Sequence, residues 1–262
     1  STLYACLNEL VKPTVNVITV EDPVEYALPG VNQVQVNEKA GLTFANALRS
    51  ILRQDPNIIM IGEIRDIETA EIAFQASLTG HLVLSTLHTN DAPSALTRLI
   101  DLGVERYLVA SSVIGVMAQR LARVICPKCK EEAEPSDSER VILDPQQHGD
   151  IVFYRGKGCK RCNDTGYSGR TPIAEVLVMD SRIKEEVIRG GNERAVQMAA
   201  TRAGMRTLRD DGMEKVREGT TTLAEVVRLT FSAEEAGSKC PRCQNHIERE
   251  FEMCPHCGQE LA

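Results

Sequence analysis

Leu48-Arg49-Ser50-Ile51-Leu52-Arg53-Gln54-Asp55-Pro56-Asn57-Ile58-Ile59-Met60-Ile61-Gly62-Glu63 is the stretch that decides the fold. Residues 43–54 bring Phe44, Ala45, Leu48, Ile51 and Leu52 onto one helical face. Asp55-Pro56-Asn57 then breaks the helix. Ile58-Ile59-Met60-Ile61 is short and wholly apolar, without the polar alternation of a strand that faces water. Such a run is expected of a central strand buried on both faces.

Working outward, residues 15–20 are β-branched and strand-like, and residues 82–85 form another short strand. Between them and the central run lie helical patterns. Asp66 is placed to cap a helix that runs to about Leu78 and stops at Gly80. Asp91-Ala92-Pro93 opens a helix that ends before Gly103, and residues 107–122 read as a mostly apolar helix. Short apolar strands alternating with helices imply an α/β core with a largely parallel sheet over residues 1–125. Residues 126–180 change character, with paired cysteines and turn-forming residues around 152–154 and 173–178, and read as a small zinc-bound insertion and strand region. Residues 181–231 return to helix, in three segments punctuated at Gly190-Gly191, Gly204 and Gly219. Residues 232–238, rich in Glu, Ala, Gly and Ser, read as a linker, and residues 239–262 as a separate mini-module.

Composition narrows the function classes. Hydrophobic residues make up 42% of the 262 positions and charged residues 26%, an ordinary globular balance with enough apolar material for a sizeable core. Aromatics are only 4% and Trp is absent, which disfavours aromatic platforms for sugars or bases. The net charge of −7 argues against broad binding to nucleic acid, which needs clustered positive charge. No run of eighteen apolar residues occurs, so membrane association is expected to be peripheral, through a partner. No signal peptide is recognisable.

Polar residues gather after the strands. Glu63 follows the central run, where ligands collect in open α/β sheets. An acid there can orient a water or hold the hydration shell of a magnesium ion near phosphates, although most acids in such places are simply solvated. Thr19-Val20-Glu21-Asp22-Pro23-Val24-Glu25 takes a strand into three carboxylates around a proline. It is either an acidic loop or the source of a general base, an effect worth roughly 10²–10⁴ in rate. His81 and His88 bracket the strand at 82–85, with Thr86, Thr89 and Asn90 beside them, and suggest a phosphate-sensing site. A lone histidine is more often structural. Three strands delivering polar residues at their carboxyl ends make a stronger pattern than any one of them.

Eight of the nine cysteines form Cys-x-x-Cys pairs: Cys126/Cys129, Cys159/Cys162, Cys240/Cys243 and Cys254/Cys257. Without a secretory signal, such pairs read as metal ligands before disulfides. The first two pairs are separated by 29 residues, and together they supply the four thiolates of a tetrahedral Zn²⁺ with an intervening loop. The last two are separated by ten residues, each on a short turn, as in a zinc ribbon. His246 and His256 are alternative ligands there, although four cysteines already complete the site. Four-cysteine sites leave no open position, so both are expected to be structural. Cys6 reads as a small buried residue on the first helix.

At this point the chain resembles the traffic ATPases of type II secretion and type IV pilus assembly, the GspE/PilB group. Ile18-Thr19-Val20-Glu21-Asp22-Pro23-Val24-Glu25-Tyr26 is similar to that family's Asp box. The stretch from Leu48 to Asp66 looks like its Walker B region, and Thr79-Gly80-His81-Leu82-Val83-Leu84-Ser85-Thr86-Leu87-His88-Thr89-Asn90 like its His box. Cys126/Cys129 with Cys159/Cys162 matches the tetracysteine insertion of the assembly and secretion branch. Gly204-Met205-Arg206-Thr207-Leu208 and residues 220–230 match its C-terminal helices. The resemblance covers residues 1 to about 231. It implies a RecA-like P-loop NTPase core, truncated at its N-terminus, with the zinc insertion, a C-terminal helical region and an appended ribbon.

The resemblance also assigns roles. Glu25 would act on the attacking water, Glu63 would support Mg²⁺ and its water shell, and His88 would lie near the γ-phosphate of ATP. Ser1, Asp22, Arg49, Arg53 and His81 are candidate nucleotide contacts, the arginines through phosphate sensing or contacts between subunits. A surface position is the commoner fate of an arginine. The family's GxxxxGK(S/T) loop is absent, and Ser1 aligns immediately after its final residue. The chain also begins without an initiator methionine, as a trimmed chain or as a fragment lacking an upstream functional element. The 262 residues alone are therefore expected to bind ATP poorly and hydrolyse none. The whole protein is expected to form a homohexamer in the cytoplasm, peripheral at the bacterial inner membrane. It would work with secretion or pilus platform proteins and drive pilin or pseudopilin polymerisation. A retraction ATPase is the alternative motor, disfavoured by the tetracysteine insertion. A zinc-ribbon adaptor or nucleic-acid-binding protein is the alternative outside the enzymes, disfavoured by net acidity and the clustered motifs.

Overall fold

The apolar run at 58–61 is a strand, as its composition requires. The computed structural model describes residues 2–135, 151–230, 238–239, 246–247 and 259. Strands β1 (Val17–Glu21), β2 (Asn32–Gln35), β3 (Ile58–Ile61) and β4 (Leu82–Ser85) form a parallel sheet in the order β2-β1-β3-β4. Val20 is in register with Ile61, and Ile61 with Ser85, so the three polar loops after β1, β3 and β4 leave from one edge.

Alternate residues of the central strands point to opposite faces. Ile18, Val20, Ile59 and Ile61 pack against Ala45, Leu48 and Ile51 of helix α2 (Phe44–Ile51) and Ile72, Ala73 and Ala76 of helix α3 (Ile67–Leu78). Val17, Ile58 and Met60 pack against Tyr4 and Leu7 of helix α1 (Thr2–Leu10). Burial of each such aliphatic side chain is worth about 1.5–3 kcal/mol, which is why an unbroken apolar run is stable only in this sandwich. The helices start where their caps place them: Thr43 Oγ1 accepts the Asn46 N–H at 3.2 Å, and Asp66 Oδ1 accepts the Thr69 N–H at 2.8 Å. Cys6 lies on α1 as expected but is exposed, because Tyr4 and Leu7 define the inward stripe and Cys6 falls beside it.

The described chain divides into two compact units. The first takes the residues up to Ala118 with Glu175–Met205, and the second takes Gln119–Ala174 with the residues from Arg206 on. In the first unit a further core joins α4 (Ala92–Asp101), α5 (Arg106–Ser112), α6 (Ser181–Arg189) and α7 (Glu193–Arg202). Leu96, Leu99, Val109, Ile183, Val187, Val196 and Ala200 close on Phe74 of α3.

The helix expected over 107–122 is not formed. Helix α5 ends at Ser112, Val113 is extended, and strand β5 (Gly115–Ile125) follows, paired with β8 (Tyr167–Val178). The hydrogen bonds that favour the strand come from a partner some fifty residues away, a non-local gain that outweighs local apolar periodicity. The C-terminal region holds four helices, not three: α6, α7, α8 (Leu208–Arg217) and α9 (Leu223–Thr230). Three glycine breaks separate four segments. Gly190 ends α6 at φ 85°, and Asn192 starts α7 by accepting the Ala195 N–H at 2.9 Å.

The second unit contains the antiparallel pair β6 (Lys130–Glu132) and β7 (Tyr154–Gly156). Met213, Val216, Leu223 and Val226 of α8 and α9 pack with Ile151 and Phe153. Glu225 is buried between two arginines. Its Oε1 accepts the Arg123 backbone N–H at 3.0 Å and Arg228 Nη2 at 2.7 Å. Its Oε2 accepts Arg123 Nη2 at 2.8 Å and Arg228 Nε at 3.0 Å. Burial pushes this carboxyl up, but the hydrogen bonds from Arg228 and Arg123 outweigh it and bring it down to about 2. The Arg123 guanidinium also lies 4.2 Å from the centre of the Tyr167 ring.

Near the C-terminus, β9 (Ser238–Lys239) pairs antiparallel with β10 (His246–Ile247). Ser1, residues 232–237 of the expected linker, and the ribbon residues Cys240, Cys243, Cys254, His256 and Cys257 lie outside the described residues.

Candidate functional site

The carboxyl edge of the parallel sheet is tied together by backbone contacts. Gly62 N–H donates to Val20 C=O at 2.8 Å, Ile64 N–H to Thr86 C=O at 3.1 Å, and Thr86 Oγ1 to Gly62 C=O at 2.7 Å. These bonds lock the turn after β3 to the ends of β1 and β4. Glu63 is thereby held with its side chain only 12% exposed. His88 Nε2 lies 3.1 Å from Glu63 Oε2, and Arg65 Nε donates to the same oxygen at 2.6 Å. Two of the expected catalytic residues, far apart in sequence, thus meet. Arg65 joins them without having been expected, because nothing in spacing shows which way an exposed arginine turns.

Glu25 and Asp22 are exposed in the loop that leaves β1, the strand beside β3. Glu25 is placed through its backbone, whose N–H donates to Tyr4 Oη at 3.3 Å. His81 stands at the amino end of β4, at the other end of that strand from His88. There its Nδ1 lies 2.9 Å from Ala76 C=O and 3.1 Å from Thr79 Oγ1, at the exit of α3. Arg49 of α2 is paired with Glu68 of α3 at 2.7 Å. Arg49 and Arg53 line, with Leu52, Glu68, Glu71, Ile72 and Gln75, a groove of about 310 Å³ between these two helices. That groove is built from helix side chains and is separate from the strand-end carboxylates. A nearly buried acid beside an imidazole and a guanidinium, at the loop edge of a parallel sheet, can order water and a hydrated cation against an anionic ligand.

The tetracysteine cluster lies in the second unit. Cys126 Sγ and Cys159 Sγ are 3.9 Å apart, Cys129 and Cys162 are 3.9 Å apart, and Cys159 and Cys162 are 3.7 Å apart. All four sulfurs fall within 4.8 Å of one another. A tetrahedron with Zn–S arms of about 2.3 Å has edges of about 3.8 Å, so the donor set fits zinc in both chemistry and size. The turns that aim the sulfurs demand glycine. A Cβ on Gly156 would stand 2.1 Å from Gly166 C=O, and Gly166 has φ +76°. Burial pushes the Cys129 thiol up to about 12. Burial also raises Cys162, but hydrogen bonds at the Cys159 and Gly166 backbone and from the Cys159 and Cys129 thiols bring it down to about 7. Four sulfurs this close cannot all ionise unless a cation neutralises them.

Residues 1–228 match the family described as type II/IV secretion system protein. The type II secretion system ATPase E of Vibrio cholerae is 50% identical over 230 residues, 88% of this chain and 46% of that protein. The type II secretion system protein HxcR of Pseudomonas aeruginosa is 54% identical over 233 residues, 89% of this chain and 46% of its own length. The type IV pilus assembly ATPase PilB of Thermus thermophilus is 50% identical over 232 residues, 88% of this chain and 26% of its own. This chain therefore spans about half or less of the length of these relatives. Among solved structures, the pilus retraction motor PilT with bound ADP superposes with a TM-score of 0.65 at 26% identity, covering 89% of this chain and 58% of that one. The α/β core is thus of the ATPase kind that the sequence implied, and the chain belongs to the type II/IV secretion system protein family.

Proposed function

We propose that this chain forms the catalytic part of an ATP-hydrolysing motor subunit for type II secretion or type IV pilus assembly. The observation that carries the proposal is the meeting of Glu63 and His88 at the carboxyl edge of the sheet, beside the loop that bears Glu25. Glu25 serves as general base for the attacking water. Glu63, nearly buried, would support Mg²⁺ through its water shell when nucleotide is bound, and His88 faces the γ-phosphate. Asp22 and Ser1 are lesser contacts of the same site, and Arg49 and Arg53 serve phosphate sensing or contacts between subunits; His81, the remaining candidate nucleotide contact, stands at the opposite end of β4 from His88. Relatives at 50% identity or more are named for type II secretion or type IV pilus assembly. The retraction motor is 26% identical, and the tetracysteine insertion further favours the assembly and secretion branch.

The working assembly is a homohexamer, peripheral at the cytoplasmic face of the inner membrane and docked on platform proteins. No helix among the described residues is long and apolar enough to cross a membrane. The tetracysteine cluster holds one structural zinc, and Cys240, Cys243, Cys254 and Cys257 hold a second in a ribbon suited to a protein contact. The 262 residues contain no GxxxxGK(S/T) sequence, so on their own they hydrolyse no ATP. The decisive experiment measures steady-state ATPase activity of the longer protein carrying that loop, as parent, Glu25→Gln and Glu63→Gln. Each substitution is expected to lower turnover by roughly 10²–10⁴. Parent-level turnover in both sinks the proposed mechanism.

A further inference from the structure

Glu21 ends β1, and its side chain is buried, 4% exposed overall. Three neutral donors converge on its carboxylate: Thr19 Oγ1 at 2.6 Å, Gln33 Nε2 at 3.0 Å, and Tyr4 Oη. None of these four residues is given a catalytic or nucleotide-binding role above, yet two of them grip the loop that bears Glu25. Tyr4 Oη accepts the Glu25 N–H at 3.3 Å, and the Tyr4 ring meets the Tyr26 ring edge-on with centroids 4.6 Å apart. Gln33 Nε2 donates to Tyr26 C=O at 3.2 Å, and Gln33 Oε1 accepts the Leu28 N–H at 2.7 Å. The loop's own side chains at Asp22, Pro23, Glu25, Tyr26 and Ala27 are exposed and supply little packing. Gln35 Oε1 also accepts the Val24 N–H at 3.3 Å, so the loop is held by Tyr4 on α1 and by Gln33 and Gln35 on β2.

We propose that Tyr4, Glu21 and Gln33 are positioning residues that fix where Glu25 stands. Glu21 is the shared anchor. An ionised carboxylate is acceptor-only and takes several donors at once, each in a charge-assisted bond stronger than a neutral one. It therefore orients the Tyr4 hydroxyl and the Gln33 amide, and these in turn hold the backbone on both sides of Glu25. Displacing a reacting group by about 1 Å costs on the order of 10²-fold in rate, so a pinned loop is what a carboxylate on a mobile connection would need to act as a base. The inference rests on Glu25 being the general base.

The test uses Tyr4→Phe, which keeps the ring against Tyr26 and deletes only the hydroxyl, and Gln33→Met, which keeps the shape and deletes the amide's hydrogen bonds to Glu21, Tyr26 and Leu28. Amide hydrogen exchange is followed over residues 22–28 of the 262-residue chain, and kcat and KM for ATP are measured in the longer protein. Faster exchange confined to this loop is expected, with kcat lowered roughly ten- to a hundredfold and with KM and Tm near the parent's. A merely structural role would move Tm and leave kcat alone. Unchanged exchange in both variants overturns the proposal, as does faster exchange with parent-level kcat when Glu25→Gln is inactive. If Glu25→Gln keeps full turnover, the general-base assignment fails instead, and the exchange result alone decides whether the network pins the loop.

Discussion

His88 Nε2 lies 3.1 Å from Glu63 Oε2, joining the loop after β4 to the turn after β3 across 25 residues of sequence. The two side chains differ sharply in environment, with Glu63 12% exposed and His88 83% exposed. The acid is fixed by the sheet, and the imidazole reaches it from the rim.

Glu63→Gln keeps the size and the hydrogen-bonding reach of the side chain but removes its charge. In the longer protein, ATP turnover measured by phosphate release is expected to fall at least about a hundredfold. Arg65→Ala, which removes a pair whose arginine is 67% exposed, is expected to change thermal stability by less than about 1 kcal/mol.

Zinc content gives an independent check. Metal analysis of the purified chain is expected to return two zinc ions per molecule, one of them at Cys126, Cys129, Cys159 and Cys162. Cys129→Ala is expected to remove one equivalent and to expose the second unit to proteolysis, since structural zinc contributes on the order of 10 kcal/mol to folding of such sites. Fewer than one zinc per parent chain would rule out the structural-metal assignment.

The knuckle glycines are predicted to be intolerant. Gly156→Ala places a methyl 2.1 Å from the backbone oxygen of Gly166, and neither partner is a flexible side chain that can yield. A loss of more than about 3 kcal/mol is expected, read as a lower Tm and weaker zinc retention under a chelator titration.

Acid should weaken the second unit through Glu225. Its folded-state value of about 2 lies below the ordinary 4.5 of an unfolded glutamate. The group therefore adds stability above pH 4.5, of about 3 kcal/mol at neutral pH, and loses it as pH falls towards 2. Denaturant titrations of parent and Glu225→Gln at pH 7 and pH 3 are expected to show the gap between them shrink by roughly half or more. A gap that stays constant or widens would contradict the assignment.

Much of the first unit was legible in the chain itself. The apolar run at 58–61, the helix breaker at 55–57 and the caps at Asp66 and Asp91 act over a few residues, so their effect appears in the local pattern. The same holds for Glu63 as a strand-end acid and for the cysteine pairs, whose close spacing already forms half of a tetrahedron. Residues 113–122 were not legible, because the hydrogen bonds of this strand are supplied by β8 and its mostly apolar composition read as a helix.

Sequence by itself determined the parallel α/β core, the residue types at its loop edge and the cysteine clamp, because short-range periodicity and chemical type specify these. Only tertiary structure decided which of those residues meet. It brought His88 to Glu63 while leaving His81 at the far end of the same strand, and it turned Arg65 onto the acid. It also buried Glu21 beneath the Tyr4 hydroxyl, a contact between helix and strand 17 residues apart. Such pairings depend on strand order and register, and they exist only once burial of the apolar run has closed the sheet between its two layers of helices.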